Sequence, residues 1–312
     1  EIGPKIISLY GKNRKPTIEM LDGLDLIIYD IQDIGARFYT YISTLGMAME
    51  VAAKKNISII VLDRPNPLGG KIIEGAILDT NYKSFIGYYP IPTRYGLTVG
   101  ELSYMMCKNN WLSSTPKKLI IVKMENWERS MYYDDTKLKW IAPSPNIPDL
   151  ETAIIYPGMC FYEATNISEG RGTEKPFKII GAPWMNKKFS NQISQNNIKG
   201  AKFTYKSFIP RSIKGKSENP KYLGTTCEGL EISIFDRNKF RSIHTAVISL
   251  DKAYSSYKIN FELNIDRMKK LWGNNQIILL LEKQINWNLF LKNLNMDAEK
   301  FKKERKPFLL YN

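Results

Sequence analysis

Two short, largely apolar runs, Leu24–Tyr29 and Ile57–Leu62, each lead into an aspartate and enclose a stretch with helical spacing. Runs of this length, rich in Ile and Leu, read as strands buried on both faces. Between them Leu45, Met49, Ala52 and Ala53 recur on one face of Ser43–Lys55, with Ser43 placed to cap the first turn. A third strand is expected at Leu119–Lys123. It follows a helix opening at Thr98, where Glu101 three residues on completes a capping-box pattern. Strand, helix and strand in alternation give parallel pairing, so the chain is expected to form an α/β fold around a parallel sheet covered on both faces.

Open sheets of this kind bind ligands beyond the carboxyl ends of their strands. The polar clusters fall there. Asp30 through Tyr39, including Asp33 and Arg37, follows the first strand; Asp63-Arg64-Pro65-Asn66-Pro67 follows the second; Pro92-Thr93-Arg94-Tyr95-Gly96 precedes the Thr98 helix. A fourth cluster, Ile167–Lys175, carries two carboxylates and a guanidinium between Gly170 and Gly172, which let the backbone bend and expose its side chains. Each cluster read alone is a loop closed by its own hydrogen bonds. Several at one sheet edge point to a common cleft.

Composition narrows the classes. A chain of 312 residues, 43% of them hydrophobic, can bury a substantial core. No apolar run is long enough to span a bilayer, so membrane insertion is not expected. Cys107, Cys160 and Cys227 are distant and odd in number, which suits buried free thiols better than a disulfide framework or a zinc site. The formal charge of +14 comes mostly from dispersed Lys, and no nucleic-acid signature accompanies it. Attraction to an acidic polymer such as cell wall explains that charge at least as well as nucleic acid does.

The chemistry is narrower still. One histidine, His244, sits in a region resembling ordinary core, which excludes Ser-His-Asp, Cys-His and His-rich metal sites. Gly11-Lys12 and Gly69-Gly70-Lys71 lack phosphate-loop spacing, and no G-x-G-x-x-G opens the first helix, so neither a nucleotide cofactor nor a metal is expected. Carboxylates, arginines, tyrosines and amides remain. That set suits glycoside chemistry, in which one carboxyl protonates the leaving oxygen while another acts as nucleophile or base.

Several ordered motifs carry a resemblance: Tyr29 through Tyr41, Leu62-Asp63-Arg64-Pro65-Asn66-Pro67, Pro143-Ser144-Pro145-Asn146, Tyr156-Pro157-Gly158, Ser168 through Thr173, Pro176-Phe177, Gly181-Ala182-Pro183-Trp184 and the terminal Phe308-Leu309-Leu310-Tyr311. Along essentially its whole length the chain resembles a bacterial family once known only as a domain of unknown function, which includes the NamZ-type exo-β-N-acetylmuramidases. The resemblance implies a Rossmann-like catalytic domain, a smaller α+β C-terminal domain and a cleft between them. It implies removal of N-acetylmuramic acid from non-reducing ends of peptidoglycan fragments, in a periplasmic or secreted setting. Members of that family carry an upstream strand–helix region with a Pro-Glu-His-Gly motif, and a His where this chain has Tyr95. The chain is thus expected to be N-terminally incomplete relative to the family.

The expected boundary lies in the polar run Asn191–Gly200, giving domains 1–195 and 196–312. Glu169 and Glu163, flanking a segment that leaves an expected strand at Met159–Tyr162, are the candidate catalytic carboxylates, with Glu101 as alternative catalyst or helix cap. Burial is expected to raise a carboxyl pKa there. Candidate substrate-binding residues are Asp30, Asp33, Arg37, Tyr39, Asp63, Arg64, Asn66, Arg94, Glu101, Asn146 and Arg171. Among them the arginines are candidates for the muramic lactyl carboxylate, because a planar guanidinium matches it bidentately. Rival readings are a glycan-binding protein without catalysis and, more weakly, a Rossmann-like nucleotide-binding module.

Overall fold

The computed structural model describes residues 3–4, 6–9, 11 and 13–312; Lys12, noted above, lies outside the described residues. Strands β1 (Leu26–Tyr29), β2 (Ser58–Leu62) and β3 (Leu119–Val122) form a parallel sheet in that order, with Leu26 opposite Ser58 and Ile59 opposite Leu119. Helices α1 (Tyr41–Lys54) and α2 (Val99–Lys108) are the crossovers. Right-handed crossovers between strands that advance in one direction place both helices on one face. Tyr29, Ile59 and Val61 accordingly pack against Leu45, Met49, Leu102 and Met105.

The opposite face departs from expectation. Leu26 (38%), Ile28 (60%) and Val122 (49%) are exposed, so among the described residues this sheet is covered on one face only. Helix α1 also begins earlier than its apolar spacing suggests. Thr40 is its N-cap, and the Ser43 hydroxyl instead donates to the Phe85 carbonyl at 2.9 Å. The capping box of α2 forms as read: Thr98 Oγ1 accepts from the Glu101 amide at 3.2 Å, and the Glu101 carboxylate accepts from the Thr98 amide at 3.0 Å.

The second unit contains α3 (Leu150–Met159), β4 (Ile179–Ala182), α4 (Lys187–Ser194), β5 (Ala201–Phe208), β6 (Cys227–Ile234), α5 (Ser242–Ser256), α6 (Ile265–Trp272), α7 (Gln276–Leu281) and α8 (Trp287–Arg305). Its sheet is antiparallel, in the order β4-β6-β5. Strand β4 precedes residue 195 yet pairs with β6, so the expected boundary falls inside this unit. The polar run that suggested a linker is the end of an amphipathic α4 and its turn into β5.

The expected strand Met159–Tyr162 is not one. Met159 ends α3, and Cys160–Ala164 is a 3-10 turn. Helix α3 is buried on every side from Thr152 to Met159, which erases the 3.6-residue period and leaves an apolar run readable either way. It crosses α5 closely, because Gly158 presents no Cβ to the Ser242 backbone and donates its amide to the Ser242 hydroxyl at 2.6 Å. His244 lies on the exposed side of α5, edge-on to Trp287, rather than in the core. No described helix is long and apolar enough to cross a membrane.

The C-terminus returns to the first unit. Phe301 of α8 joins the core beneath the parallel sheet, and the Tyr311 hydroxyl donates to Asp63 at 2.7 Å. The Met124 amide, just past β3, donates to the same hydroxyl at 3.1 Å, so this strap crosses the ends of β2 and β3.

Candidate active site

An aromatic floor joins the two units. Tyr41, Tyr39, Tyr156 and Phe177 meet edge to face, with centroid separations of 4.9, 6.2 and 4.8 Å along the row. The Arg171 guanidinium lies 5.1 Å over the Phe177 ring. Tyr39 comes from the segment leading into α1, Tyr41 from its first position, Tyr156 from α3, and Phe177 from the turn after the Gly170–Gly172 loop.

At the Arg171 end the loop delivers two carboxylates to one cation. Arg171 contacts Glu163 at 2.6 Å through Nη2 and Glu169 at 3.3 Å through Nε. Lys221 reaches the other Glu169 oxygen at 3.0 Å, and Arg267 pairs with the second Glu163 oxygen. Gly170 makes this possible: its φ of +78° turns the chain so that residues 169 and 171 converge, where a Cβ would strike the Ile179 carbonyl. A guanidinium is small enough that carboxylates on two of its nitrogens lie within the ~5–10 Å span used by glycosidase pairs. The expected rise in carboxyl pKa does not occur at Glu163. Burial alone would raise it, but Arg171 and Arg267 outweigh burial and hold it below the ordinary value. Glu163 is therefore an ionised carboxylate at neutral pH, unsuited to the acid role.

Carboxyls that burial raises lie elsewhere: Asp63, Glu74, Asp297 and Asp33. Asp33, just past β1, is buried, and burial lifts it from 3.8 to about 6 against the bonds it receives from Tyr95 Oη and the Gly35 amide. Its Oδ1 is buried without a partner among the described residues. A proton held by the folded chain and released by the unfolded one between about pH 4 and 6 stabilises the fold fully below that window. That contribution is lost as pH rises through it, about 3 kcal/mol for two pH units. Asp33→Asn is expected to flatten the fall in stability between pH 4 and 6, read from urea midpoints across that range. Parallel curves for the variant and the parent would remove Asp33 as the titrating group.

Other expected ligand-binding residues are turned to the chain itself. Arg37 is fully buried and donates to the carbonyls of Ala76, Ile91, Leu271 and Trp272 at 2.7–2.9 Å, so it has no donor left over for a carboxylate substrate beyond a buried Nε. Arg94, also buried, donates to the Leu68 carbonyl at 2.5 Å and lies 3.5 Å from Glu74. Asn66 bridges the Leu97 carbonyl and the Leu68 amide at 2.8 and 3.0 Å. Asp63 accepts from Thr98, Gly100, Arg64 and Tyr311, which fixes the start of α2. Glu101 caps α2, pairs with Arg129 and accepts from the Leu310 amide at 2.8 Å. These five hold the sheet edge in shape; strand-end polarity marks them without revealing which way they face.

Asp30 and Arg64 remain available. They pair with each other at 2.6 Å beyond the carboxyl ends of β1 and β2 while staying 47% and 39% exposed. Asn146 donates to the Lys216 carbonyl at 2.8 Å and leaves its buried Oδ1 unpartnered among the described residues. That bond ties the stretch from Arg211 to Pro220 to Asn146, while the Arg211 amide donating to the Gly172 carbonyl at 2.8 Å and Lys216 donating to the Thr173 carbonyl at 3.4 Å hook it onto the loop carrying Glu169. Trp184 donates to the Tyr222 hydroxyl at 3.2 Å and packs on Tyr257, away from the floor. Lys221 and Arg267 were not foreseen, since each reaches the site from a distant segment with no local motif.

Two family models match the chain: one for the N-terminal part of the exo-β-N-acetylmuramidase NamZ over residues 1–151, one for its C-terminal part over residues 154–311. The chain is 40% identical over 311 residues to the peptidoglycan β-N-acetylmuramidase NamZ of Bacillus subtilis (strain 168), covering 99% of itself and 73% of that protein. Two crystal structures of DUF1343 family proteins from Bacteroides fragilis NCTC 9343 are similar. One has a TM-score of 0.89 at 33% identity, over 97% of this chain and 79% of that one. The other has a TM-score of 0.78 at 32% identity, over 95% and 78%.

Proposed function

The chain belongs to the NamZ exo-β-N-acetylmuramidase family, and we propose that its aromatic floor and the carboxylates at its ends form the site where muramyl glycosides are cleaved. It is a glycoside hydrolase whose substrate is peptidoglycan-derived, with N-acetylmuramic acid removed from non-reducing ends. The observation that carries the site assignment is the bridging of Glu163 and Glu169 by Arg171 beside the row of rings.

The roles follow from charge. An oxocarbenium-like transition state needs an anion near the anomeric carbon and a proton for the departing oxygen. Glu169 is the anion: it is buried, and its two oxygens are held by different cations, which fixes its orientation. Glu163 keeps Arg171 in place from the other side. Asp33, an electrostatic neighbour of Tyr39 pushed up to about 6, is the carboxyl assigned the proton, which it holds mainly below that pH. Tyr39 and Tyr41, partly exposed, are the rings of the row that can meet a sugar, and the buried Tyr156 and Phe177 support them from behind.

Selection for muramic acid over glucosamine requires recognition of the lactyl carboxylate. With Arg37 and Arg94 directed to backbone carbonyls, Arg64 and Arg171 are the remaining forks, and Arg64 stands at the open sheet edge. Release of chromophore from paired muramic-acid and glucosamine β-glycosides tests both claims. The parent is expected to cleave the first in preference. Arg64→Lys keeps the charge but loses the planar fork, and should reduce that preference about 10–100-fold, the worth of one charge-assisted contact of ~1.5–3 kcal/mol. Undiminished preference in Arg64→Lys would reassign the lactyl contact; no hydrolysis of either glycoside by the parent would defeat the reading itself.

A further inference from the structure

A shallow groove of about 730 Å³ opens beside the first turn of α3, lined among others by Leu150, Ile234, Phe235, Asp134, Arg237 and Asn238. Phe235, just past β6, leaves 74% of its surface uncovered there. Carboxylates outnumber cations around it, since Arg237 serves two aspartates and Glu151 also lines the groove. Arg237 binds Asp134 at 2.6 Å and Asp135 at 2.9 Å, and Lys239 binds Asp236 at 2.9 Å. Asp134 nevertheless stays 59% exposed, so its oxygens still accept from outside, and among the described residues no group hydrogen-bonds the Asn238 side-chain amide. A smaller pocket of about 220 Å³ shares Asn238 and extends past Tyr132 toward Lys71.

An aromatic ring open to solvent, beside an excess of carboxylate acceptors and a free amide, is complementary to a polyhydroxylated ring that brings hydroxyl donors and no negative charge. One face of such a sugar is a sheet of C–H bonds that packs on Phe, while its hydroxyl and acetamido groups bond the rim. Phosphates would meet no excess positive charge here. We propose that this groove is a second saccharide site, taking uncharged N-acetylhexosamine units of a glycan chain outside the catalytic cleft. Ile154 of α3 lines the groove, whereas Tyr156, two positions on and about 200° around the helix, belongs to the aromatic row, so the groove and the row lie on opposite sides of α3. The choice of an N-acetylhexosamine glycan rests on the glycosidase reading above; the groove's chemistry does not.

The test is co-sedimentation of the protein with insoluble peptidoglycan, run beside hydrolysis of a small chromogenic muramic-acid β-glycoside. Phe235→Ala and Asn238→Ala are each expected to weaken sedimentation at least about fivefold while leaving turnover of the small glycoside unchanged, and Phe235→Trp to retain binding. The two variants alter exposed side chains, and an unshifted melting temperature confirms that they fold. Undiminished sedimentation in both alanine variants overturns the proposal, as does a parallel loss of small-glycoside turnover, which would make the groove part of the catalytic site. Absence of turnover in the parent protein bears on the glycosidase reading alone, since sedimentation is measured without it.

Discussion

Glu169→Gln is expected to lower kcat/KM on a muramic-acid β-glycoside by about 10²–10⁴-fold, the usual worth of a carboxylate acting on the reacting atoms. The amide matches the carboxylate in shape, so the substrate still fits, but it neither carries the charge that a developing oxocarbenium requires nor acts as a nucleophile. The buried position of Glu169, with Arg171 on one oxygen and Lys221 on the other, means that no solvent anion replaces it. The same substitution leaves two cations facing a neutral group, so some loss of stability accompanies it. For that reason the measurement is kcat/KM in protein shown to be folded at the assay temperature, with Glu163→Gln in parallel. Glu163 is more open and is balanced by Arg171 and Arg267, so its variant should lose less. Rates near that of the parent in Glu169→Gln would take this carboxylate out of bond cleavage.

How far the sequence foretells this arrangement differs between its parts. The three parallel strands and the α2 capping box are legible because each is encoded locally, by apolar runs and by Thr98 with Glu101 three residues later. The polar loop from Ile167 to Lys175 announces itself through its glycines, and the structure does bring Glu169, Arg171 and Glu163 together. Helix α3 is misread because an element buried on all sides keeps no period. The partners of the site are illegible for a different reason. Lys221 lies 52 residues from Glu169 and Arg267 lies 104 from Glu163, and nothing in the local pattern of either lysine or arginine signals such a contact. Strand-end residues look alike in sequence whether they face a ligand or a carbonyl. Arg64 remains half open while Arg37 vanishes into the joint, and only the packing distinguishes them.

Arg37 therefore supports the second large effect, on stability rather than turnover. Its guanidinium donates to Ala76 and Ile91 in the first unit and to Leu271 and Trp272 in the second, the last two separated from it by 234 and 235 residues. Gly273, which ends α6 at a φ of +99°, leaves room for it; a Cβ there would press on the guanidinium. Burial pulls the Arg37 pKa down to about 9, which still leaves it charged at pH 7. Four carbonyls thus share one cation where no described side chain replaces it. Arg37→Met fills much of the volume but orphans all four acceptors, each at a cost of about 1–3 kcal/mol, so at least ~4 kcal/mol of stability should be lost. Arg37→Lys keeps the charge but, as a point donor, reaches fewer carbonyls and should fall between. Urea midpoints with slopes fitted separately decide it. A loss below about 1.5 kcal/mol in Arg37→Met would mean that water enters the joint freely and that the two units are not bolted by this residue.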